Sequence, residues 1–504
     1  MLRPRRGVRR PARPPRFRPP PPMSHPTPLT LTFRTRQTRY WQAMASFYRA
    51  RDRFLHEMLR REGDGERFGE YLAADGSRVP CRLTGTDLRQ HALVLGATGS
   101  GKSSLLESMA RALLARAHAF AVIDPHGDLA ERIERWARLS GQLRVVSLDF
   151  TAAARLPSWN PLLPMEGVDA GRQVDLLVSV LRRLYSAERA SSWAWGVKVE
   201  EIVRMALRAS IESQIPVTLA DLDRVLLDVR FRNEVLASAG EEARQYFFTR
   251  FGAMEEMYVS AVVNKLSPFM GSAAVRRFLG NGGEPIDLLS LPDRPVALVV
   301  NLARGVLGSA ANVLGRLLMN ALLLSALRRT GTVPETRRHF ALLVDEAHSF
   351  AGADGGLEDL LVTGRKYHFA LTMASQGLSL FPAHLRPLLL GNTARQFFFR
   401  LPYSEARLLG PDILEPLGNV GRQQVRPYDD LSDPLLDPTE EVDARIREIS
   451  DLPVGACYWA LRGGKFKARR IQVDRPETPP RGLSEEAEAR TAATEILIPS
   501  SPLT

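Results

Sequence analysis

The central part of the chain alternates short, wholly apolar runs with longer segments of helical periodicity. Continuous apolar runs are typical of strands buried on both faces of a parallel sheet. We predict a helix over residues 103–117, and strands at residues 91–96, 119–124, 143–149, 296–302, 339–346, 368–375 and 395–401. The alternation of strands and helices predicts an α/β fold with a mostly parallel sheet that helices cover on both faces.

Three regions depart from this alternation. Residues 166–290 show helical periodicity and few strand signals, with Thr218 suited to cap a helix, so we predict an all-helical insertion between sheet strands. Residues 36–61 predict an amphipathic helix, and residues 68–84 predict a hairpin turning at Asp75 and Gly76. A second hairpin is predicted from ACYWALRG to KARRIQV, near the end of the chain.

These patterns divide the chain into segments. The predicted organisation is a disordered Arg/Pro-rich arm (1–35), an N-terminal helix and hairpin region (36–90), the first part of the core (91–165), the helical insertion (166–290), the second part of the core with the C-terminal hairpin (291–474), and a flexible tail (475–504). The most apolar helix candidate, 309–327, contains Arg316 and Asn320, which favours a buried amphipathic helix over a membrane span.

Nearly all of the net positive charge comes from residues 1–39. The 504 residues carry a net charge of +12, but residues 1–39 hold eleven arginines and no acid, which leaves about +1 (12 − 11) for the rest. Composition therefore gives no argument that the folded body binds nucleic acid. Two interpretations of the arm stay open: it contacts DNA, or translation starts at Met23. The two cysteines, far apart in sequence, form no disulfide framework and indicate a reducing, cytoplasmic setting.

The segment GATGSGKSS follows the first core strand and precedes a helix, which is the context of a phosphate-binding P-loop. Glycines let the backbone bend so that successive N–H groups point at phosphate oxygens, and the helix adds the positive end of its dipole. Lys102 is placed to reach the β- and γ-phosphates of ATP, and Ser103 to bind Mg²⁺. The predicted nucleotide-binding residues are Gly96, Ala97, Thr98, Gly99, Ser100, Gly101, Lys102, Ser103 and Ser104.

Two acids end the strand at 339–346. Asp345 is placed to hold Mg²⁺, and Glu346 to orient and deprotonate the attacking water. Acids often end strands, so the pair gains its meaning from the P-loop. Together the two motifs predict ATP hydrolysis.

Two further polar residues are catalytic candidates. Gln376 ends the next strand and is placed to sense the γ-phosphate, although a loop residue with no such role fits equally well. Arg365 lies between the two strands, where it is either an arginine that acts on a neighbouring subunit's nucleotide or a surface cation. Arg395 and Arg400 are weaker candidates for the same role.

The other polar motifs favour structural interpretations. DPHGD at 124–128 predicts a turn near the nucleotide, with metal ligation as the alternative. SWNPL at 158–162 predicts an extended turn, and Trp193 and Trp195 are expected to pack in the helical core.

Taken together, the segments HALVLGATGSGKSS, VIDPHGDL, WNPL, LLVDEAHSF and GRKYHFALTMASQ resemble the HerA–FtsK superfamily of pumping ATPases, and above all the TraG/TraD-like conjugative coupling proteins and their soluble relatives. The resemblance covers roughly residues 66–470. It implies a RecA-like P-loop NTPase core with an all-helical insertion, ATP and Mg²⁺ as cofactors, a homo-hexameric ring and DNA as the partner. It also implies that Arg365 acts across the subunit boundary and that Gln376 belongs to the site.

The sequence shows no N-terminal membrane helices of the kind found in membrane-bound coupling proteins. We therefore expect a cytoplasmic translocase, with peripheral contact to a secretion apparatus left open. Two other functions are compatible with these motifs: a secretion-type ATPase that moves protein substrates, and an ATP-binding switch without hydrolysis, against which Glu346 argues. No sequence-reading module for DNA was found.

Overall fold

The computed structural model describes residues 57–58, 61, 64–72, 77–165, 168–186, 196–253, 256–280, 282–352, 356–413, 446–461 and 468–477. All described residues belong to one compact unit, residues 50–416 with 436–504. Several predictions lie outside them, namely the arm, most of the helix at 36–61, the turn at Asp75 and Gly76, Trp193, Trp195 and most of the tail.

The described strands form one mixed sheet. In chain order they are β1 Glu66–Leu72, β2 Arg78–Leu83, β3 Ala92–Leu95, β4 Ala119–Asp124, β5 Arg144–Asp149, β6 Val296–Asn301, β7 Phe340–Val344, β8 Phe369–Ser375, β9 Arg395–Phe398, β10 Ala456–Leu461 and β11 Arg469–Val473. Their order across the sheet is β2-β1-β11-β10-β9-β3-β8-β7-β4-β6-β5. Every predicted core strand is present, which confirms the α/β prediction.

The part of the sheet from β9 to β5 is parallel, and the part from β2 to β10 is antiparallel. Strand β3, which precedes the P-loop, pairs with β8 on one side and β9 on the other. Strand β8 also pairs with β7, the strand that precedes the acid pair. The carboxyl ends of β3, β7 and β8 therefore meet at one edge of the sheet.

Both predicted hairpins exist, and both join the core sheet. Strand β1 pairs with β2 and β11, while β10 pairs with β11 and β9, all antiparallel. The two hairpins thus extend the parallel core past β9. The sequence predicted each hairpin but not its place in the sheet.

The helices flank this sheet. They are α1 Gly85–Leu88, α2 Lys102–Ala115, α3 Asp128–Ser140, α4 Ala170–Ser186, α5 Val197–Glu212, α6 Leu222–Leu227, α7 Val229–Ser238, α8 Glu241–Thr249, α9 Glu256–Met270, α10 Ala273–Leu279, α11 Arg304–Leu307, α12 Ala310–Arg328, α13 Gly356–Thr363, α14 Leu385–Asn392 and α15 Tyr403–Ile413. Between β5 and β6 the regular structure of the described residues is helical. Thr218 caps a short 3₁₀ turn there through reciprocal hydrogen bonds with Asp221. The division into domains itself stays a prediction.

Each core strand contributes to two hydrophobic clusters, one on each face of the sheet. In β3, Leu93 and Leu95 face one cluster while Ala92 and Val94 face the other. Helices α2 and α3 cover the second face, and α12 with the helices between β5 and β6 covers the first. Burial on both faces explains why the core strands are continuous apolar runs.

Helix α12 is buried, as the sequence predicted. In the described part of the chain, Ala310–Gly331 alone is long and apolar enough to cross a membrane, and 78% of its most apolar window is buried. Its polar side chains have partners. Arg316 donates to the carbonyls of Ser349 and Ala351, and Asn320 bonds Leu176 and Gly356. A helix with this burial and these contacts is typical of a protein core.

Candidate nucleotide-binding site

The P-loop is fixed to the strands on both sides of β3. The Gly96 N–H donates to the Ser375 carbonyl at the end of β8, over 3.1 Å, and the Ala97 N–H donates to the Arg400 carbonyl just beyond β9, over 2.7 Å. Helix α2 begins at Lys102, directly after the loop. The first turn of a helix leaves its N–H groups without intrahelical partners, so these groups are available to an anion at the loop.

Two glycines of the loop have left-handed backbone angles. Gly99 has φ +72° and Gly101 has φ +116°, which is a region that favours glycine. A Cβ at Gly99 would meet nothing within 4 Å, whereas one at Gly101 would lie 3.0 Å from the Gly455 Cα. The loop is therefore open on the Gly99 side and closely packed on the Gly101 side.

The Lys102 ammonium lies inside the loop. Its Nζ donates to the carbonyls of Gly96 and Ala97 over 2.7 and 3.1 Å, and the side chain is buried. The pKa of Lys102 is lowered overall, because burial outweighs the opposing effect of the nearby carboxylates of Asp345 and Glu346. Ser103 and Ser104 follow in the first turn of α2, both half-buried.

The acid pair leaves the sheet directly after β7. The Asp345 N–H donates to the Ile123 carbonyl over 3.0 Å, and its Oδ1 accepts the Glu346 N–H over 2.9 Å. Burial, and then the charge of Asp124, raise the pKa of Asp345 to about 6. Glu346 has φ +47° and ψ 41°, which is rare for a residue other than glycine and typical of functional positions.

The Glu346 carboxylate has two polar neighbours. Its Oε1 accepts a hydrogen bond from Gln376 Nε2 over 3.0 Å, and its Oε2 lies 3.4 Å from His348 Nδ1. Gln376 reaches Glu346 because β8 lies beside β7 in the sheet. The structure thus brings Lys102, Asp345, Glu346 and Gln376 to one edge.

Arg365 does not join this group. Its side chain is exposed in the short turn Gly364–Tyr367, one residue before β8, whereas Gln376 directly follows that strand. The two other arginine candidates also separate. Arg395 is buried and forms an ion pair with Asp87, so it is not available for the role weighed for it. Arg400 lies at the P-loop edge, and its carbonyl holds Ala97.

The DPHGD segment is a structural turn. Asp124 accepts hydrogen bonds from the N–H groups of His126, Leu129 and Ala130, and so caps α3. Within the described residues there is no group of three or more His, Cys, Asp or Glu suited to a metal. SWNPL also forms a turn, in which Asn160 bonds the Val217 carbonyl and the Leu162 N–H.

The sequence did not predict the contact between the C-terminal region and the P-loop. The Gly455 N–H donates to the Ser100 carbonyl over 2.8 Å, and the backbone of Gly455 packs against Gly101. Gly455 has φ +81° and directly precedes β10. The turn before β10 thus holds the side of the loop opposite Gly99, and a glycine before a predicted hairpin was the only local signal for it.

The residues present suit a nucleotide with a divalent cation. The loop has open space beside Gly99, N–H groups at a helix terminus and a buried ammonium at Lys102. The pKa of the buried Asp345 carboxylate is raised by burial and by the charge of Asp124. A bound cation would offset both effects, because its charge stabilises the ionised carboxylate. Carboxylate and hydroxyl oxygens, which Asp345 and Ser103 supply, are the ligands that Mg²⁺ takes.

A family model described as "Helicase HerA, central domain" matches residues 67–234. The bacterial conjugative coupling protein TrwBdeltaN70, in its unbound form, is similar in structure, with a TM-score of 0.53 at 16% sequence identity over 80% of this chain and 89% of that chain. The plasmid coupling protein TrwB in complex with ADP and Mg²⁺ gives the same values. VirB4 of Thermoanaerobacter pseudethanolicus is similar over 83% of this chain and 97% of that chain, with a TM-score of 0.53 at 16% identity. No curated protein matches the chain.

Proposed function

We propose that this chain, a P-loop ATPase of the HerA–FtsK/TraG type, hydrolyses ATP to drive DNA through a ring of identical subunits. The observation that carries hydrolysis is the position of Glu346. Its carboxylate lies at the P-loop edge of the sheet and accepts a hydrogen bond from Gln376. Binding alone needs no carboxylate of this kind, whereas activation of a water molecule does.

Each residue of the site has a role in this proposal. The N–H groups of residues 96–104 and the Lys102 ammonium bind the β- and γ-phosphates, while Ser103 and Asp345 hold Mg²⁺. The cation neutralises charge that develops on the phosphates. Glu346 orients and deprotonates the attacking water, and Gln376 senses the γ-phosphate. TrwB, which is similar to this chain in fold, has been solved in complex with ADP and Mg²⁺.

The position of Arg365 supports the proposed ring. This arginine is exposed at the far end of β8, so its own P-loop is out of reach of its side chain. An arginine that stabilises the transferring phosphoryl group is often supplied by a neighbouring subunit. A closed ring, in this proposal a homo-hexamer, places Arg365 of every subunit at the nucleotide of the next.

DNA as the cargo rests on relatives. The matched family model describes a helicase, and TrwB is a conjugative coupling protein. By analogy we propose transfer of a plasmid or another mobile element, with the protein in the cytoplasm and in peripheral contact with a secretion apparatus. The near-neutral body does not itself argue for DNA, so a protein substrate is the alternative that the experiment must separate.

The test measures ATPase rate and assembly together. The full chain is assayed without nucleic acid, with single-stranded DNA and with double-stranded DNA, and sedimentation with ATP and each DNA reports the size of the assembly. The proposal expects rings and a faster rate with at least one form of DNA. Monomers without DNA stimulation would overturn it. Rings whose ATPase rate is the same with and without either form of DNA would contradict DNA as the cargo and favour a protein substrate.

A further inference from the structure

The side chain of His348 lies next to the proposed catalytic base. Its Nδ1 is 3.0 Å from the Ser375 hydroxyl and 3.4 Å from Glu346 Oε2, and only 20% of the side chain is exposed. The ring also meets Phe381 edge to face, with centroids 6.2 Å apart. Nothing in the role of the P-loop or of the acid pair requires a histidine here.

The hydrogen-bond pattern assigns the tautomer of His348. The Ser375 hydroxyl donates to the Gly377 carbonyl over 3.1 Å, so its oxygen must accept from the imidazole. Nδ1 therefore carries the proton and donates it to the Ser375 hydroxyl, while the Glu346 carboxylate lies 3.4 Å from the same nitrogen. Burial lowers the pKa of His348, which is consistent with a neutral ring.

The turn that carries His348 is itself fixed. Residues Ala347–Ser349 form a 3₁₀ turn, and Arg316 of the buried helix α12 donates to the carbonyl of Ser349 and to that of Ala351, two residues beyond the turn. On the other side, the Ser375 carbonyl accepts the Gly96 N–H of the P-loop. His348 thus connects the base to a strand end that also holds the phosphate-binding loop.

We propose that His348 is a positioning residue that holds Oε2 of Glu346, while Gln376 holds Oε1. This inference rests on the proposed hydrolysis by Glu346. Gln376 donates a hydrogen bond to Oε1 over 3.0 Å, and the imidazole, fixed by its hydrogen bond to Ser375, lies 3.4 Å from Oε2. When Gln376 turns toward the γ-phosphate, His348 keeps the carboxylate in place beside the attacking water. A base that must take a proton in one geometry loses rate when this support is removed.

The experiment compares three substitutions of His348. Asn places an amide N–H close to the position of Nδ1, Gln extends its amide beyond it, and Ala supplies no donor. We expect His348→Ala and His348→Gln to lower kcat about 10- to 100-fold, the usual effect of losing such a partner. We expect His348→Asn to retain most of the wild-type kcat. KM for ATP and the affinity for a non-hydrolysable ATP analogue should stay within about twofold, because His348 contacts the base and not the loop.

Two controls keep the test decisive. His384, an exposed histidine near Glu358, forms a similar contact outside the site, and His384→Ala should leave kcat unchanged. Ser375→Ala in the His348→Ala background should add little further loss, since both act through one contact.

The inference fails if His348→Ala hydrolyses ATP at the wild-type rate. It also fails if the Asn and Ala variants lose kcat, analogue affinity and melting temperature together, because that pattern indicates a structural role. Failure of the proposed function looks different. In that case Glu346→Gln itself hydrolyses ATP normally, whatever the His348 variants do.

Discussion

Gln376 and Arg365 lie at opposite ends of the same strand. Gln376 directly follows β8 and contacts Glu346, while Arg365 is exposed in the turn that precedes the strand. The seven residues of β8 span roughly 20 Å at about 3.3 Å per residue. An arginine side chain is much shorter than this. If both residues act on ATP, they act on two different nucleotides.

Arg365→Ala should therefore inactivate the nucleotide site of the neighbouring subunit. We expect kcat to fall about 1,000-fold or more, as for other arginines that stabilise phosphoryl transfer from a second subunit. Mixed rings give the sharper readout. Arg365→Ala subunits retain a complete P-loop and Lys102→Ala subunits retain Arg365. At an ATP concentration too low to fill the Lys102→Ala site, a mixture should therefore recover part of the ATPase rate, although each variant alone hydrolyses little ATP.

Lys366→Ala is the matched control, since Lys366 is exposed in the same turn. It should hydrolyse ATP at close to the wild-type rate. A mixture that stays inactive while sedimentation shows mixed rings would contradict action in trans.

Glu346→Gln should separate binding from hydrolysis. The amide keeps the shape of the side chain but cannot accept the proton of the attacking water, so we expect kcat to fall about 100- to 10,000-fold. Nucleotide affinity should be retained or increased, and bound ATP should stay trapped. Rapid filtration with labelled ATP measures both quantities. Steady-state hydrolysis at the wild-type rate would show that Glu346 is not the base.

Lys102→Ala should weaken ATP binding. The Lys102 ammonium bonds two loop carbonyls inside the P-loop, where phosphate oxygens are its natural partners. Loss of a hydrogen bond from a charged group costs about 1.5–3 kcal/mol, which corresponds to roughly 10- to 100-fold in Kd for ATP. Lys198→Ala, in the helices between β5 and β6, is the control and should bind ATP normally. Equal affinities in both variants would contradict the assignment.

Gly455→Ala should disturb the P-loop from a distance. An alanine at φ +81° costs about 1 kcal/mol of backbone strain, and its Cβ would lie 2.5 Å from Gln472 Nε2. Because the Gly455 N–H holds Ser100, we expect weaker ATP binding as well as lower stability. Gly141→Ala is the matched control, with φ +59° and nothing within 4 Å of the added Cβ. It should lower stability without changing ATP affinity. Loss of affinity in both variants, or in neither, would contradict the role of Gly455.

His91 should make stability depend on pH. Burial, with a contribution from Arg365, lowers the pKa of His91 to about 4, and its Nδ1 accepts the Leu371 N–H over 2.8 Å. Between about pH 6.5 and 4 the unfolded chain binds a proton that the folded chain does not, so stability falls as pH falls. The full effect is on the order of 3 kcal/mol.

Urea unfolding at pH 7 and pH 4.5 measures this dependence. His91→Asn keeps an acceptor near the position of Nδ1 but does not titrate, so its midpoint should change less between the two pH values. Other histidines titrate alike in both proteins and cancel in the comparison. Identical pH dependence would show that His91 is not the cause.

Local patterns were enough to predict the strands and the two phosphate-site motifs. The β3 run is apolar on both faces because two hydrophobic clusters cover it, and that burial is visible in sequence. Helix α12 was predicted as buried despite Arg316 and Asn320, and both residues have partners in the core. The family resemblance added the placing of Gln376 and Arg365.

Contacts between distant segments could not be predicted. Gly455 and Ser100 meet because β10 adds to β9, and no local pattern specifies that pairing. His348 contacts Ser375 only because β7 and β8 are neighbours. Arg395 is a catalytic candidate in the sequence because its ion pair with Asp87, 308 residues away along the chain, becomes visible only in the fold. Each of these residues acquires its partner from the order of strands in the sheet.

Displacement of a roadblock from DNA tests the central claim most directly. A linear duplex carries a triplex-forming oligonucleotide far from its end, and release of the oligonucleotide is followed with ATP, with a non-hydrolysable analogue and with the Glu346→Gln variant. A DNA-translocating ring predicts release by the wild-type protein with ATP and none in the other two reactions. Active ATP hydrolysis without release, on duplexes with blunt or single-stranded ends, would contradict it.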